Sequence, residues 1–148
     1  MYLSYFGIRV TNLPRSVDFY TRTFGLVLHP GSRVPIENPK EATGVMLVDP
    51  HSGLRIELNY YPEGNPYAVD YVPGEGWDHL GFRVDDLEKF LTKLSKQGIA
   101  PEKMKHYDGP MLSTPNFRVA YFRDPDGNQI EIYDSPGADP DKYDKNAY

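Results

Sequence analysis

The stretch Asp124-Pro125-Asp126-Gly127-Asn128-Gln129-Ile130-Glu131-Ile132-Tyr133 decides how the rest of the sequence is interpreted. Its first four residues predict a tight turn, because proline presets φ and Asp-Gly favours a corner with positive φ. The residues that follow alternate with period two, so Ile130 and Ile132 point to one face of a strand and Glu131 to the other. The stretch therefore predicts a turn and a half-buried strand with a carboxylate on its polar face.

The same pattern occurs earlier in the chain, where Asp49-Pro50 and a glycine-containing turn precede Ile56-Glu57-Leu58. The two glutamates, Glu57 and Glu131, are 131 − 57 = 74 positions apart. Two further pairs share this offset of 74 positions: Tyr5 with His79, and Arg9 with Arg83. The sequence is therefore a tandem repeat with a period near half its length.

Hydrophobic periodicity gives both copies the same order of elements: a strand, an amphipathic helix and three strands. The sequence thus predicts an α+β fold, in which two tandem βαβββ modules form an open, curved, mixed sheet around a cleft. The predicted single domain spans residues 1–135, divided into module one (1–61), a linker (62–77) and module two (78–135). A polar tail without periodicity follows at 136–148.

The linker is unusual for its aromatic residues, which are Tyr67, Tyr71 and Trp77, with Tyr61 just before it. Its Pro and Gly content is typical of a solvated connection. Four aromatic side chains are many for a bare connection, so a flap or a pocket lining is an equally good interpretation.

Composition excludes several classes of protein. The chain has 148 residues, 39% hydrophobic and 25% charged, which suits one globular domain with a sizeable core. Its net charge of −5 without a Lys/Arg block argues against a nucleic-acid partner. We see no membrane-spanning apolar run and no signal peptide, so a cytoplasmic location is expected. The absence of cysteine excludes disulfides and thiolate chemistry.

Matched polar residues in the two modules indicate where chemistry would occur. Modules related by a pseudo-twofold axis would bring Tyr5, His79, Glu57 and Glu131 together from the non-core faces of their strands. Imidazole and carboxylates suit a divalent ion such as Zn²⁺, Ni²⁺, Mn²⁺, Co²⁺ or Fe²⁺. Taken singly, each has an ordinary alternative: a lone His is usually a surface residue, and such a Glu usually lies on the solvated face of a strand.

The sequence resembles the vicinal oxygen chelate superfamily, which includes glyoxalase I, epimerases, dioxygenases and bleomycin-resistance proteins. The resemblance covers residues 3–134 and rests on three groups of motifs: Gly7-Ile8-Arg9-Val10 with Asp18-Phe19-Tyr20 and Phe24-Gly25-Leu26, Asp78-His79-Leu80-Gly81-Phe82-Arg83-Val84, and Asp124-Pro125-Asp126-Gly127 with Ile130-Glu131. Among its members, the sequence is most similar to glyoxalase I-like proteins.

The resemblance implies a metal site at Glu57, His79 and Glu131, with Glu131 and then Glu57 as the catalytic base. It implies proton abstraction α to a carbonyl, with an enediolate stabilised by the metal. The family has Gln or His at the place of Tyr5, which is a weak ligand because the pKa of a phenol lies near 10.

Substrate binding is implied at Tyr5, Arg9 and Tyr61. Arg9 matches a family arginine that contacts glutathione, whereas Tyr61 replaces a contacting Asn. The expected protein is a homodimeric lyase or isomerase that acts on a small molecule. The alternative is a metal-free binding protein of the bleomycin-resistance type, with Tyr5, Tyr60, Tyr61 and Trp77 stacking on a planar ligand.

Overall fold

The computed structural model of the protein describes residues 4–68, 79–107 and 117–134. The described residues form ten elements in the predicted order, βαβββ twice, with these bounds: β1 Phe6–Arg9, α1 Leu13–Phe24, β2 Val27–Leu28, β3 Thr43–Val48, β4 Arg55–Tyr60, β5 Leu80–Arg83, α2 Leu87–Ser95, β6 Lys103–Tyr107, β7 Phe117–Arg123 and β8 Gln129–Asp134. The predicted tail 136–148, together with Tyr71 and Trp77 of the linker, lies outside the described residues. Neither described helix is long and apolar enough to cross a bilayer.

The described residues group into two compact units. The first unit contains residues 4–68 together with the turn Asp124–Asn128, and the second contains the described parts of 79–123 and 129–134. The turn lies within the predicted second module in sequence, yet its contacts belong to the first unit. The module and linker bounds derived from the sequence stay predictions.

Each unit contains one four-stranded mixed sheet, so the fold is α+β with two modules. The strand order is β1-β4-β3-β2 in the first unit and β5-β8-β7-β6 in the second. In both, the first strand is parallel to the last one and the other pairings are antiparallel. Phe6 pairs with Ile56 in the first sheet, and Leu80 pairs with Ile130 in the second. Leu80 lies 80 − 6 = 74 positions after Phe6, and Ile130 lies 130 − 56 = 74 positions after Ile56. The repeat in the sequence is therefore a repeat in strand register.

Alternation along the strands produces the core of each unit. The fully buried side chains of the first unit include Ile8, Leu58 and the helical Tyr20, and those of the second include Ile130 and Ile132. Burying an aliphatic side chain of this size contributes about 1.5–3 kcal/mol, so these strands are held mainly by their apolar face. The predicted burial of Ile130 and Ile132 is confirmed.

One core assignment and one strand length were wrong. The alternation of Phe6, Ile8 and Val10 predicts Phe6 on the core face, but 47% of Phe6 is exposed at the start of β1. The same alternation predicts a strand over residues 3–10, whereas within the described residues β1 spans Phe6–Arg9.

The two helices begin with equivalent caps. Asn12 accepts a hydrogen bond from the Arg15 backbone N–H at 3.0 Å, and Asp86 accepts one from the Lys89 N–H at 3.1 Å. Such caps stabilise a helix by about 1 kcal/mol, and these two stand 86 − 12 = 74 positions apart.

The helix ends differ from each other. Gly25, with φ 75°, ends α1 as predicted. Glycine after an amphipathic stretch predicts that Gly98 ends α2 in the same way, but α2 ends earlier, at Ser95, and Gly98 has positive φ beyond the helix.

The backbone N–H of the first residue in each helix donates to a different side chain. Asn38 Oδ1 accepts from the Leu13 N–H at 2.9 Å in the first unit, and the buried Asp134 Oδ2 accepts from the Leu87 N–H at 2.8 Å in the second. Asp134 also accepts from both Nε and Nη2 of Arg118, a bidentate ion pair. The second helix is thus tied to the last strand by a buried charge.

Candidate functional site

The polar face of the first sheet carries most of the predicted site residues of that unit. Parallel pairing sets Gly7 beside Glu57 and Arg9 beside Asn59, so all four share the face opposite the core. Tyr5 precedes β1 and is 47% exposed. The predicted placement of Glu57 on the non-core face is therefore confirmed, and Arg9 lies on the same face.

The carboxylate of Glu57 is fixed by a neighbour on its own strand. Asn59 Nδ2 donates a hydrogen bond to Glu57 Oε2 at 3.1 Å and lies 3.4 Å from the Glu57 backbone oxygen. Both side chains are only partly exposed. Sequence reasoning missed Asn59, although the period of two that placed Glu57 on this face places Asn59 there as well.

The predicted substrate-binding residues Arg9 and Tyr61 contact each other. The Arg9 guanidinium carbon lies 5.3 Å from the centroid of the Tyr61 ring, within the range of a cation–π interaction. The Tyr61 ring in turn lies 5.7 Å from the exposed Tyr67 ring. We call these three side chains the Arg9–Tyr61–Tyr67 cluster. It offers two aromatic rings, tilted by 48° relative to each other, with a cation beside one of them.

In the second unit the predicted ligands His79 and Glu131 are brought together. His79 Nε2 lies 3.6 Å from Glu131 Oε2, with 33% and 14% of the two side chains exposed. The distance exceeds that of a direct hydrogen bond. The two groups form an ion pair only when the imidazole is protonated. A neutral imidazole nitrogen and a carboxylate oxygen that face each other in this way form a two-donor set of the kind that divalent transition metals bind.

A complete ligand set is not assembled among the residues that the structure describes. No three His, Asp or Glu side chains within these ranges form a group that could hold a metal ion. The donor chemistry nevertheless fits a divalent ion, since the His79–Glu131 pair supplies two donors. The third predicted donor is Glu57, which occupies in the first unit the position that Glu131 occupies in the second, and Asn59 holds its carboxylate by a hydrogen bond. The predicted set of three therefore stays a prediction with two of its members in contact.

The turn that precedes β8 has a structural role that the sequence did not reveal. Asp126 accepts hydrogen bonds from both the N–H and the hydroxyl of Thr11, from Arg15 Nη2 at 2.8 Å and from Ser16 Oγ at 2.8 Å. Asp124 accepts one from the buried Tyr20 hydroxyl at 2.9 Å. The turn thus holds the start of α1 in the first unit.

Several groups compete to set the pKa of Asp126. Burial by itself raises the pKa, but hydrogen bonds from Thr11, Ser16 and Arg15 outweigh burial and hold the pKa below its usual value. Asp126 is therefore a charged structural residue at neutral pH, and its contacts all lie within the first unit.

Comparisons with known proteins identify the family and support the fold. Residues 2–132 match the family described as the Glyoxalase/Bleomycin resistance protein/Dioxygenase superfamily. A solved structure from Frankia sp. EAN1pec, a glyoxylase/bleomycin resistance protein/dioxygenase domain, superimposes with a TM-score of 0.66 at 22% identity, covering 94% of this chain and 95% of that one. This likeness supports the fold.

Curated relatives add sequence similarity to the shared fold. The lactoylglutathione lyase of Escherichia coli O157:H7 is 30% identical over 135 residues, which cover 88% of this chain and 90% of the relative. A probable chloroplastic lactoylglutathione lyase of Arabidopsis thaliana is 32% identical over 126 residues, which are 84% of this chain but only 33% of the relative. This chain thus spans about a third of the plant protein's length. The chain belongs to the Glyoxalase/Bleomycin resistance protein/Dioxygenase superfamily.

Proposed function

We propose that the protein is a metal-dependent lyase or isomerase of the lactoylglutathione lyase type, which abstracts a proton α to a carbonyl. The observation that carries the proposal is the His79–Glu131 pair, with its donor atoms 3.6 Å apart. Relatives named lactoylglutathione lyase, at about 30% identity, support the same class of reaction. The chemistry requires a base beside the carbon that loses the proton and an electrophile at the carbonyl oxygen.

Each residue of the site has a role in this proposal. Glu57, His79 and Glu131 would hold the ion, which when bound polarises the carbonyl oxygen. Glu131 would accept the proton from the carbon and return it to the adjacent carbon. Glu131 suits this task because its side chain is only 14% exposed, so bulk water competes little for the proton. Glu57 is the second choice of base, since Asn59 already holds its carboxylate.

Metal analysis tests the proposal directly. Protein purified without an affinity tag should contain about one divalent ion per chain, the stoichiometry of a single catalytic site. Reconstitution with Zn²⁺, Ni²⁺, Mn²⁺, Co²⁺ or Fe²⁺ in turn would identify the ion that supports proton exchange at the carbon next to a carbonyl. Failure to bind any of these ions would refute the proposed function.

The substrate proposed here differs from the glutathione adduct of methylglyoxal. Tyr61 stands where the family has a glutathione-contacting Asn, and its ring contacts Arg9, the residue that matches the family's glutathione-contacting arginine. The adjacent aromatic residues Tyr60 and Tyr61 favour a flatter and less charged substrate than a tripeptide with two carboxylates, whereas the Arg9 cation favours an anionic group. Turnover of the methylglyoxal–glutathione adduct with kcat/KM above roughly 10⁴ M⁻¹s⁻¹, the range of efficient enzymes, would contradict this.

The Arg9–Tyr61–Tyr67 cluster supports a second candidate function, metal-free binding of a planar small molecule. The Tyr61 and Tyr67 rings, 5.7 Å apart, provide aromatic surface on which such a ligand would stack. The two functions respond differently to a chelator. Binding of planar ligands, followed by tyrosine fluorescence, would survive metal removal if the protein is a binder, whereas catalysis would be lost if it is an enzyme.

Homodimerisation and a cytoplasmic location complete the proposal. Dimerisation follows from the superfamily resemblance, and it would cover the terminal strands of the described sheets, which include β1 and β2 in the first unit. Sedimentation should give a particle of about twice the 16.9 kDa chain mass. A monomer at micromolar concentration would contradict the dimer.

A further inference from the structure

We propose that Asn59 is a positioning residue that holds the Glu57 carboxylate ready for metal binding. This inference rests on the proposed function, because it gives Glu57 the role of a metal ligand. It concerns a residue that neither the repeat nor the resemblance singled out. Its basis is the local geometry of the first sheet, within a single unit.

The hydrogen bonds of Asn59 restrict the rotation of the Glu57 side chain. One nitrogen, Nδ2, is 3.1 Å from Glu57 Oε2 and 3.4 Å from the Glu57 backbone oxygen. Because the backbone of β4 is fixed between β1 and β3, the amide ties a flexible carboxylate to a rigid strand. A free glutamate loses rotamer freedom when it binds an ion, and a glutamate that is already ordered loses less.

Two glycines leave room for this arrangement. Gly44 pairs with Asn59 across β3 and β4, and a Cβ there would lie 2.9 Å from Glu57 Oε1 and 3.1 Å from Asn59 Oδ1. Gly7 pairs with Glu57 across β1 and β4, and a Cβ there would lie 3.2 Å from Asn59 Nδ2. Glycine weakens a strand interior and often marks a place where other groups approach closely. Here both glycines border the same amide and carboxylate.

The second unit differs at the matching positions. The residue 133 − 59 = 74 positions after Asn59 is Tyr133, whose side chain has no amide. Gly81 corresponds to Gly7, and among the described residues a Cβ there would meet Tyr133 Cε1 alone, at the ordinary contact distance of 3.9 Å. The arrangement therefore belongs to Glu57 and not to its counterpart Glu131. The repeat itself supplies a matched control.

The first experiment measures the affinity of Co²⁺ for the metal-free protein by isothermal titration calorimetry. Removal of a residue that orients a ligand typically costs about 10–100-fold in metal affinity, and we expect this loss in both Asn59→Ala and Asn59→Leu. Leucine keeps the approximate size of asparagine but cannot donate. Recovery of wild-type affinity in Asn59→Leu would show that packing alone matters, and it would overturn the proposal.

The glycines extend the same test. Gly44→Ala should weaken Co²⁺ binding to a similar extent, because the new methyl group displaces Glu57 Oε1. Gly7→Ala, which crowds the amide, should lose affinity by a smaller factor. Gly81→Ala, its counterpart in the second unit, should stay within about twofold of the wild type, since its Cβ has room. Equal losses in Gly7→Ala and Gly81→Ala would contradict the proposal.

A second experiment detects the contact without any metal. The side-chain amide signal of Asn59 in a ¹H–¹⁵N spectrum should shift in Glu57→Gln, which removes the charged acceptor, and stay in place in Glu131→Gln. A signal that does not move in Glu57→Gln would overturn the contact. If the wild type binds Co²⁺ and the Asn59 variants bind it equally well, this inference fails while the proposed function stands. Absence of Co²⁺ binding by the wild type would refute both.

Discussion

The two units share a strand order and a register but differ in the groups that hold their polar parts. The first helix begins against a neutral amide, Asn38, whereas the second begins against a buried carboxylate, Asp134. The position before the first strand is Tyr5 in one unit and His79 in the other. Duplication thus preserved the backbone frame, while side chains on its polar face and at its helix ends diverged. The shared features, strand order and register, are those that the fold requires, whereas the polar side chains that differ are free to serve a site.

Asp134 and Asn38 should differ most in their effect on stability. Asp134→Ala removes the acceptor of the Leu87 N–H and of two donors of the partly exposed Arg118, and because a hydrogen bond to a charged group contributes about 1.5–3 kcal/mol, the loss should be about 3 kcal/mol or more. Asn38→Ala removes a neutral acceptor from the Leu13 N–H and should cost about 1 kcal/mol. Urea unfolding of both variants gives the two free energies. Equal losses would mean that the two helices are anchored alike.

The next largest effect should be on metal affinity, where replacing His79 should cost much more than replacing Tyr5. His79→Ala removes a nitrogen donor that faces Glu131 at 3.6 Å, so the loss should exceed about 100-fold, the upper end for residues that only support ligands. Equilibrium dialysis with Zn²⁺ would measure it. Full metal occupancy in His79→Ala would remove this residue from the site.

The two Asp-Pro turns provide a comparison of stability against pH. Asp126 has a pKa below its usual value, because hydrogen bonds from Thr11, Ser16 and Arg15 outweigh the effect of burial, which raises it. A carboxyl with a lowered folded-state pKa stabilises the protein above its unfolded pKa of about 3.9, and this contribution is lost as the pH falls through the lower folded value. Asp126→Asn should therefore cost about 1.5–3 kcal/mol at pH 7.

The cost of Asp126→Asn should begin to shrink as the pH falls below about 3.9, where the carboxyl of the unfolded chain takes up a proton, and it should vanish below the lower pKa of the folded protein. Asp49, in the other turn, is the matched control because it accepts hydrogen bonds only from its own turn, from His51 and Ser52, among the described contacts. Asp49→Asn should cost less than about 1 kcal/mol at pH 7. Urea midpoints at pH 7 and pH 3 check both variants. A cost of Asp126→Asn that is the same at both values would contradict the assignment.

Tyr5 should show the smallest effect. A phenol oxygen is a weaker ligand for a divalent ion than an imidazole nitrogen, so Tyr5→Phe should change metal affinity by less than about threefold, well below the effect of losing a supporting residue. Tyr5→His should tighten binding, because it restores the donor type that His79 provides in the other unit. Both affinities can be measured with the His79 variant in one series. A large loss in Tyr5→Phe would make Tyr5 a ligand.

Much of the fold could be predicted because the alternation within each strand and the internal repeat assign the same residues to the core. The period of two placed Ile130 in the core and Glu131 on the opposite face, and the offset of 74 carried the same assignment to Ile56 and Glu57. The burial of Phe6 was predicted wrongly because alternation gives the face of a strand but not where the neighbouring elements end. A residue at the start of a strand can have the core parity and still face solvent.

The parts of the site that could not be predicted depend on contacts distant in sequence or on space that glycine leaves open. The two Asp-Pro turns look alike in the sequence, yet Asp126 binds Thr11, 115 positions away, whereas Asp49 binds within its own turn. No local pattern distinguishes them. Gly44 likewise has no side chain to suggest a role, and its importance becomes apparent only when the Glu57 carboxylate is seen beside it.

The turn Asp124–Asn128 has a consequence for synthesis on the ribosome. Residues 4–68 of the first unit leave the ribosome well before residue 124 is made, so α1 must wait for the acceptors of its buried Tyr20 and Ser16 hydroxyls. During that interval the nascent first unit lacks these two hydrogen bonds to carboxylates, each of which contributes about 1.5–3 kcal/mol. The first half of this chain should therefore complete its folding only after the second half has emerged.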